Sequence, residues 1–256
     1  MDGAKVVSIP IAAHHQLSAN QRPSSQKEID EMKDVPYASV VGCLMYAMIC
    51  TRPDLAQALS VVSRYMSNLG KPHWEAVKWI LRYLKGTRQL GIMFERKHEV
   101  ACVAGFVDSD YAGDLDKRRS TIGYVFTCGG GPVSWKATLQ AVAALSTTEA
   151  EYMALTEASK EAIWLNGLAN EFGIHQQGVV VKCDSQSAIH LAKNQVFHAR
   201  TKHIDVRYHR IRDWVGSGNI FVEKVHTNDN AADCLTKPVA LEKFKHFLNL
   251  LSIITC

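Results

Sequence analysis

Two runs of almost unbroken apolar residues, 101–107 (ACVAGFV) and 179–183 (VVVKC), each end on an aspartate, Asp108 and Asp184. A strand with water on one side alternates polar and apolar residues, so runs that do not alternate must be covered on both faces. They predict central strands of a sheet with helices above and below it. Around them, residues 120–128 and 132–137 flank a GGG turn and read as a hairpin. A further short strand is expected at AVAAL (141–145). Ser146 and Glu149 then fit a capping box that opens a helix running to about Phe172, with Gly173 closing it. A short helix over 185–194, a basic helix over about 202–216, a strand over 220–226 and two short helices complete the chain. Strands in a meander, then alternating with helices, predict an α/β domain with a mixed sheet.

The first third reads differently. Residues 1–35 are polar and show no periodicity, an irregular arm that needs other parts of the chain to lie against. Residues 36–88 read as helices. The first two break at TRPD, where Thr51 can cap and Pro53 fits a first turn. A third starts near Pro72, with Trp74, Val77, Ile80, Leu81 and Leu84 on one side and Lys78, Arg82 and Lys85 on the other, and LGIMF follows as a short strand. The exposed face of this small helical subdomain predicts poor solubility of the isolated chain. In 256 residues, 47% hydrophobic and 21% charged, a globular rather than a disordered protein is expected. The apolar stretch 40–50 is about half the roughly 20 residues that span a bilayer. No signal peptide is legible, and seven scattered cysteines without a CxxC pair suit a reducing compartment. The expectation is a soluble intracellular protein without a membrane partner.

Four acids sit where ligands gather in α/β sheets, at strand ends or first helical turns: Asp108, Glu151, Asp184 and Asp233. Each has a purely structural alternative. Asp108 could cap the loop SDYAGD, which also carries Asp110 and Asp114. Asp184 could be a helix N-cap, and Asp233 could rest on a helix dipole. Glu151 could simply be solvated, although the capping box accounts for its neighbour Glu149 and leaves Glu151 unexplained. If the four converge, carboxylates with no cationic partner in their motifs repel one another unless a metal neutralises them. Oxygen ligands alone favour a hard cation, Mg²⁺ or Mn²⁺, and two such ions make a phosphodiester-cleaving centre. His226, seven residues before Asp233, reads as a strand-end histidine or a proton carrier.

Residues 193–213 form the clearest basic patch: Lys193, Arg200, Lys202, Arg207, Arg210 and Arg212 against Asp205 and Asp213, with His198, His203 and His209 among them. Ile204, Tyr208, Ile211 and Val215 make an apolar stripe, and His203, Arg207, Arg210 and Trp214 fall on another side. Such a face suits backbone-tracking nucleic-acid binding or plain solvation.

In this order, GFVDSDYAGD, STTEAEYMAL, CDSQSAIHLAKN, RTKHIDVRYHRIR and NAADCLTKP resemble the ribonuclease H domain of copia-type retrotransposon polyproteins. YASVVGCLMYAMICTRPDLAQAL and HWEAVKWILRYLKGT are similar to the segment joining polymerase and ribonuclease H there. The resemblance implies a ribonuclease H-like fold, a mixed five-stranded sheet flanked by helices, over 99–256. Before it would lie a helical connection segment over 36–98, from the end of a reverse transcriptase, and the arm over 1–35. It carries Asp108, Glu151, Asp184 and Asp233 onto the catalytic, metal-holding acids and His226 onto a mobile histidine near the site. It assigns backbone binding to Lys193, Arg200, Lys202, His203, Arg207 and Arg210. Two Mg²⁺ or Mn²⁺ ions, an RNA–DNA hybrid as substrate and the polymerase portion of the same polyprotein as partner follow from the same resemblance. So do endonucleolytic cleavage of the RNA strand to 5′-phosphate and 3′-hydroxyl ends, and a cytoplasmic setting in a virus-like particle, or a nuclear one, without secretion. No YxDD-like pair is present, so no polymerase site is expected, and the chain reads as the C-terminal piece of a longer polyprotein. A catalytically inactive nucleic-acid-binding remnant, and a DNA nuclease or integrase of the same fold, are the alternatives.

Overall fold

A computed structural model describes residues 3–95, 103–194 and 206–255. Its centre is a five-stranded sheet built from β2 (Ala104–Ser109), β3 (Thr121–Cys128), β4 (Gly131–Leu139), β5 (Val179–Cys183) and β6 (Ile220–Lys224). The order is β4-β3-β2-β5-β6, antiparallel through β4, β3 and β2 and parallel through β2, β5 and β6. Both non-alternating strands, β2 and β5, are central, and β2 is the pivot where the pairing changes direction. A mixed sheet flanked by helices is the ribonuclease H-like arrangement that the resemblance implies.

Each face of the sheet has its own core. On one face, α5 (Thr147–Glu171) buries Ala150, Met153, Ala154, Leu155, Ala158 and Ala162 against Val107, Tyr124, Val181 and Val222. Small residues along α5 allow close approach, and α6 (Gln186–Lys193) and α7 (Arg210–Gly216) complete the layer. The opposite face is covered by α2 (Tyr37–Thr51), α3 (Ala56–Val62) and α4 (Lys71–Gly86), together with the last helices, α8 (Asp233–Thr236) and α9 (Leu241–Leu250). Leu55, Leu59, Val62, Val77 and Ile80 share this second core with Val125 of the sheet and with Leu235, Phe244 and Phe247. The first strand, β1 (Leu90–Ile92), pairs with the last, β7 (Ile253–Thr255), and this ties the end of the chain to the helical layer. Among the described residues no single helix is long and apolar enough to cross a membrane.

Three local expectations are corrected. Residues 26–33, inside the stretch read as irregular, form α1 (Gln26–Lys33), because Ser25 and Glu28 make a capping box too short to register as periodicity. Thr51 does not cap but ends α2, and the turn at 52–55 is held by a buried ion pair instead. Arg52 grips Asp54 at 2.6 Å, with Tyr83 and Thr87 completing the network. AVAAL forms no strand, because backbone pairing ends at Gln140, whose N–H reaches the Ser120 carbonyl, and 141–145 then cross toward α5. The basic side of α4 binds the arm: Arg82 and Lys85 hold the Lys5 and Ala4 carbonyls, and Trp79 holds that of Ile9. The arm lies along α4 as a strap, burying Ile11 and Leu17 in the helical core.

Two outcomes follow from this packing. Removing one partner of the buried Arg52–Asp54 pair strands a charge, so Asp54→Ala should cost about 3–5 kcal/mol in urea unfolding. Because β7, α8 and α9 knit the helical layer to the sheet, far-UV and near-UV melts of the full chain should coincide in one transition.

Candidate metal and catalytic site

The carboxyl ends of β2 and β5 lie side by side, since Val107 pairs with Cys183 in parallel register. One residue further on, the two strands present Asp108 and Asp184. The capping alternatives for these acids are resolved by other residues. In the loop after β2, Asp110 accepts the Thr121 N–H and Asp114 accepts the Lys117 N–H, so loop capping does not need Asp108. Ahead of α6 the N-cap is Ser185, whose hydroxyl takes the Ala188 N–H, and Asp184 is left over. At the start of α5, Ser146 caps the Glu149 N–H, while the Glu149 carboxylate accepts the N–H of Leu145, one residue before the expected partner. Glu151 therefore stands apart from the capping, as the sequence suggested.

Glu151 is aimed at the strand ends. Its carboxylate and that of Asp184 lie within 4.8 Å of each other and of the Cys183 thiol. One Glu151 oxygen is buried without a hydrogen-bond partner. Burial, then the charges of Asp108 and Asp184, pushes Glu151 up from its ordinary 4.5 to about 9. Asp108, only 2% exposed, is also raised by burial; Lys237 and a hydrogen bond from Thr236 Oγ1 work against that. Gln140 steadies this corner: its amide donates to the Ala150 carbonyl and the Ser109 hydroxyl, bracing α5 against β2 beside Glu151.

A hard divalent cation fits this set. The oxygens are acidic, one is unsatisfied, and the local repulsion is relieved by positive charge. Cys183, which sequence reasoning missed although it adjoins Asp184, is a wall rather than a ligand: burial pushes its thiol far up, so it stays neutral.

Asp233 is placed differently. It is 1% exposed, and its two oxygens meet Lys237 and Lys243, each at 2.5 Å. The premise that the acid motifs hold no cation is therefore corrected, because Lys237 lies within NAADCLTKP itself. The signal was legible: Asp233 and Lys237 are four apart, the spacing of a helical ion pair.

The segment carrying Asp233 is pressed onto the sheet. Asn230 donates to the Val107 carbonyl, Thr236 to Asp108, and Gly123, paired with Asp108 across β2–β3, lets α8 lie flat. A Cβ there would stand 2.7 Å from Thr236 Cγ2 and 2.9 Å from Leu235 Cβ.

His226 is exposed just beyond β6, its Nδ1 accepting the Asn228 N–H, at the same sheet end as Asp184, whose carbonyl is held by Lys224. Among the basic residues, Lys193 and Arg210 are exposed, Arg210 lying 4.0 Å from Asp213. Arg200, Lys202, His203 and the side chain of Arg207 lie outside the described residues. Two members of the patch face inward instead. Arg212 donates to the Leu191 carbonyl, and His209 meets the Tyr152 hydroxyl. Tyr208 and Ile211 are buried as the stripe required, but Trp214 packs against the core rather than with the basic side.

No family model matches the chain. It is 54% identical over 245 residues to "Retrovirus-related Pol polyprotein from transposon TNT 1-94" of Nicotiana tabacum, covering 96% of this chain and 18% of that protein. It is 39% identical over 252 residues to "Retrovirus-related Pol polyprotein from transposon RE2" of Arabidopsis thaliana, covering 98% and 17%. The chain thus spans less than a fifth of the length of these relatives. Among solved structures it is similar to LC11-RNase H1 in complex with RNA/DNA hybrid, at 18% identity and a TM-score of 0.39, over 52% of this chain and 93% of that one.

Gly123→Ala should overpack the β2–β3–α8 contact at a cost of about 1–3 kcal/mol; a lowered midpoint in thermal unfolding checks it. The raised Glu151 pKa sets a second outcome. Without divalent metal the folded protein holds a proton that the unfolded chain releases, so stability falls as pH rises between 4.5 and about 9. Glu151→Gln should flatten that slope in urea melts run in chelator.

Proposed function

The chain belongs to the family of copia-type retrotransposon Pol polyproteins, and we propose that it acts as their ribonuclease H portion, hydrolysing the RNA strand of an RNA–DNA hybrid. One observation carries the proposal: Glu151, with a buried oxygen lacking a partner, is turned toward Asp184 and Asp108 at the ends of two parallel strands. Capping and solvation leave that arrangement unexplained, whereas metal-assisted hydrolysis of a phosphodiester would use it.

Asp108, Glu151 and Asp184 would hold divalent cations, Mg²⁺ or Mn²⁺. When bound, these supply an activated water and Lewis-acid stabilisation of charge at the scissile phosphorus. The chain's own residues orient and shield. Thr236 fixes one oxygen of Asp108, and the Ser109 N–H and Gln140 set the corner that presents Glu151. The apolar wall of Cys183 limits water behind the carboxylates.

Asp233, paired to lysines, completes the acid order of the resemblance from one side. His226 would work from the exposed rim. Lys193 and Arg210, with Arg200, Lys202, His203 and Arg207, would follow the hybrid backbone through phosphate contacts. Preference for RNA would come from its 2′-hydroxyls and the shape of the hybrid. The polymerase portion of a longer polyprotein would dock on the helical layer, where α2 exposes Cys43, Tyr46, Ile49 and Cys50 and carries no charge along its length.

Purified full chain should cleave the RNA strand of a hybrid only with Mg²⁺ or Mn²⁺, leaving duplex DNA and duplex RNA intact. Asp184→Asn should lower that rate by about 10²-fold or more. Absence of hybrid cleavage, with the variant indistinguishable from wild type, would sink the proposal; salt-dependent hybrid binding in its place would indicate a binding remnant.

A further inference from the structure

The loop between β2 and β3 is neutral by composition. Over residues 110–119 it sets Asp110, Asp114 and Asp116 against Lys117, Arg118 and Arg119. Folding sorts these charges, because every acid has a partner in the protein. Asp110 takes the Thr121 N–H. Asp114, only 3% exposed, takes the Lys117 N–H and meets Arg64 at 3.3 Å. Asp116 accepts the Ala19 N–H at 2.9 Å and the Tyr65 hydroxyl at 3.1 Å. Arg119 is held as well, its guanidinium on the Gln140 carbonyl. Lys117 and Arg118 are left exposed, and neither bonds to a carboxylate among the described contacts.

Arg118 is set in place against its own backbone preference. Its φ is +55°, in the left-handed region that disfavours any residue with a Cβ. The turn is closed by the Arg118 N–H on the Asp114 carbonyl and by the Asp114 N–H on the Arg119 carbonyl. Glycine would suit that turn better than arginine does.

The loop leaves the strand end that carries Asp108, and its contacts with Arg64, Tyr65 and the arm lie on the face opposite α5. The exposed Lys193 and Arg210 belong to α6 and α7, in the α5 layer. The ends of β2 and β5 therefore lie between two sets of exposed cations.

We propose that Lys117 and Arg118 form a second phosphate grip, holding a nucleic-acid backbone from the side of the helical layer while the basic segment holds it from the α5 side. The proposal rests on the hydrolase reading above. Arg64, Tyr65 and the arm occupy the acids of the loop, and this leaves its two outer cations free for phosphate.

The experiment is fluorescence-anisotropy binding of an uncleavable hybrid, with a 2′-methoxy RNA strand, to the folded full chain. It is run over a series of salt concentrations at one low, fixed concentration of Mg²⁺. Lys117→Ala combined with Arg118→Gly should weaken binding at least tenfold at about 0.1 M salt, and should shallow the slope of log affinity against log salt by about 1–2. Lys117→Arg combined with Arg118→Lys, which keeps both charges, should keep the wild-type slope. Arg118→Gly alone should melt no lower than wild type, which separates lost binding from lost folding.

Wild-type affinity and slope in the neutralised double variant would overturn the proposal while leaving the hydrolase reading intact. So would a loss of affinity at unchanged slope, the mark of a loosened fold rather than of lost phosphate contacts. No hybrid bound by folded wild type at any salt concentration would overturn both. Where the double variant does not fold, Arg118→Gly alone carries the same test, with about half the change in slope.

Discussion

The contact on which the rest of the structure depends is the seating of residues 230–237 on the β2–β3 pair. Asn230 is anchored to the Val107 carbonyl, Thr236 to Asp108, and the missing side chain at Gly123 provides the space between them. Leu235 points into the helical core from the same short helix. One turn of chain therefore ties the helical core to the central strand and places Asp233 beside the strand ends. A loosened α8 would release the helical layer and disorder the acids together. Stability and site geometry share one contact.

The cost of the site is visible in its electrostatics. A buried carboxylate cluster disfavours folding unless protons, lysines or metal ions compensate, and all three remedies are distributed here by position. Glu151 and Asp108 shift upward, so protons are the compensation nearest α5. Around Asp233 the compensation is covalently attached, as Lys237 and Lys243. That division leaves the α5 side as the place where an incoming cation gains most.

Much of this was legible in the chain, and the rule that worked was elimination by capping. Ser146 and Glu149 account for the start of α5 in the sequence and in the structure, so Glu151 stood out early. The same logic was available for Asp184, because Ser185 competes for the N-cap and takes it, yet a lone aspartate before a helix looks self-explanatory. Non-alternating β2 and β5 announced their central places, since burial on both faces leaves no freedom in pattern. AVAAL misled for the opposite reason: five small apolar residues fit a strand, but pairing is decided by Gln140 and Ser120, where the chain leaves the edge. The sequence gives no distance, so the inward turn of Arg212 and His209 could not be separated from the outward turn of Lys193 and Arg210.

The arm shows how a segment without periodicity acquires a fixed course. Nothing in residues 4–21 repeats, because the order is supplied by α4, whose Arg82, Lys85 and Trp79 bind arm carbonyls, Trp79 also meeting the rings of His14 and His15. Backbone carbonyls are present in any sequence, so such a strap leaves little trace in composition. Its far end does carry a trace: the Ala19 N–H and the Tyr65 hydroxyl both meet Asp116, and Arg64 meets Asp114. Those acids belong to the loop that leaves Asp108. The helical layer therefore fixes the strand end from the side opposite α5, through the loop that follows Asp108.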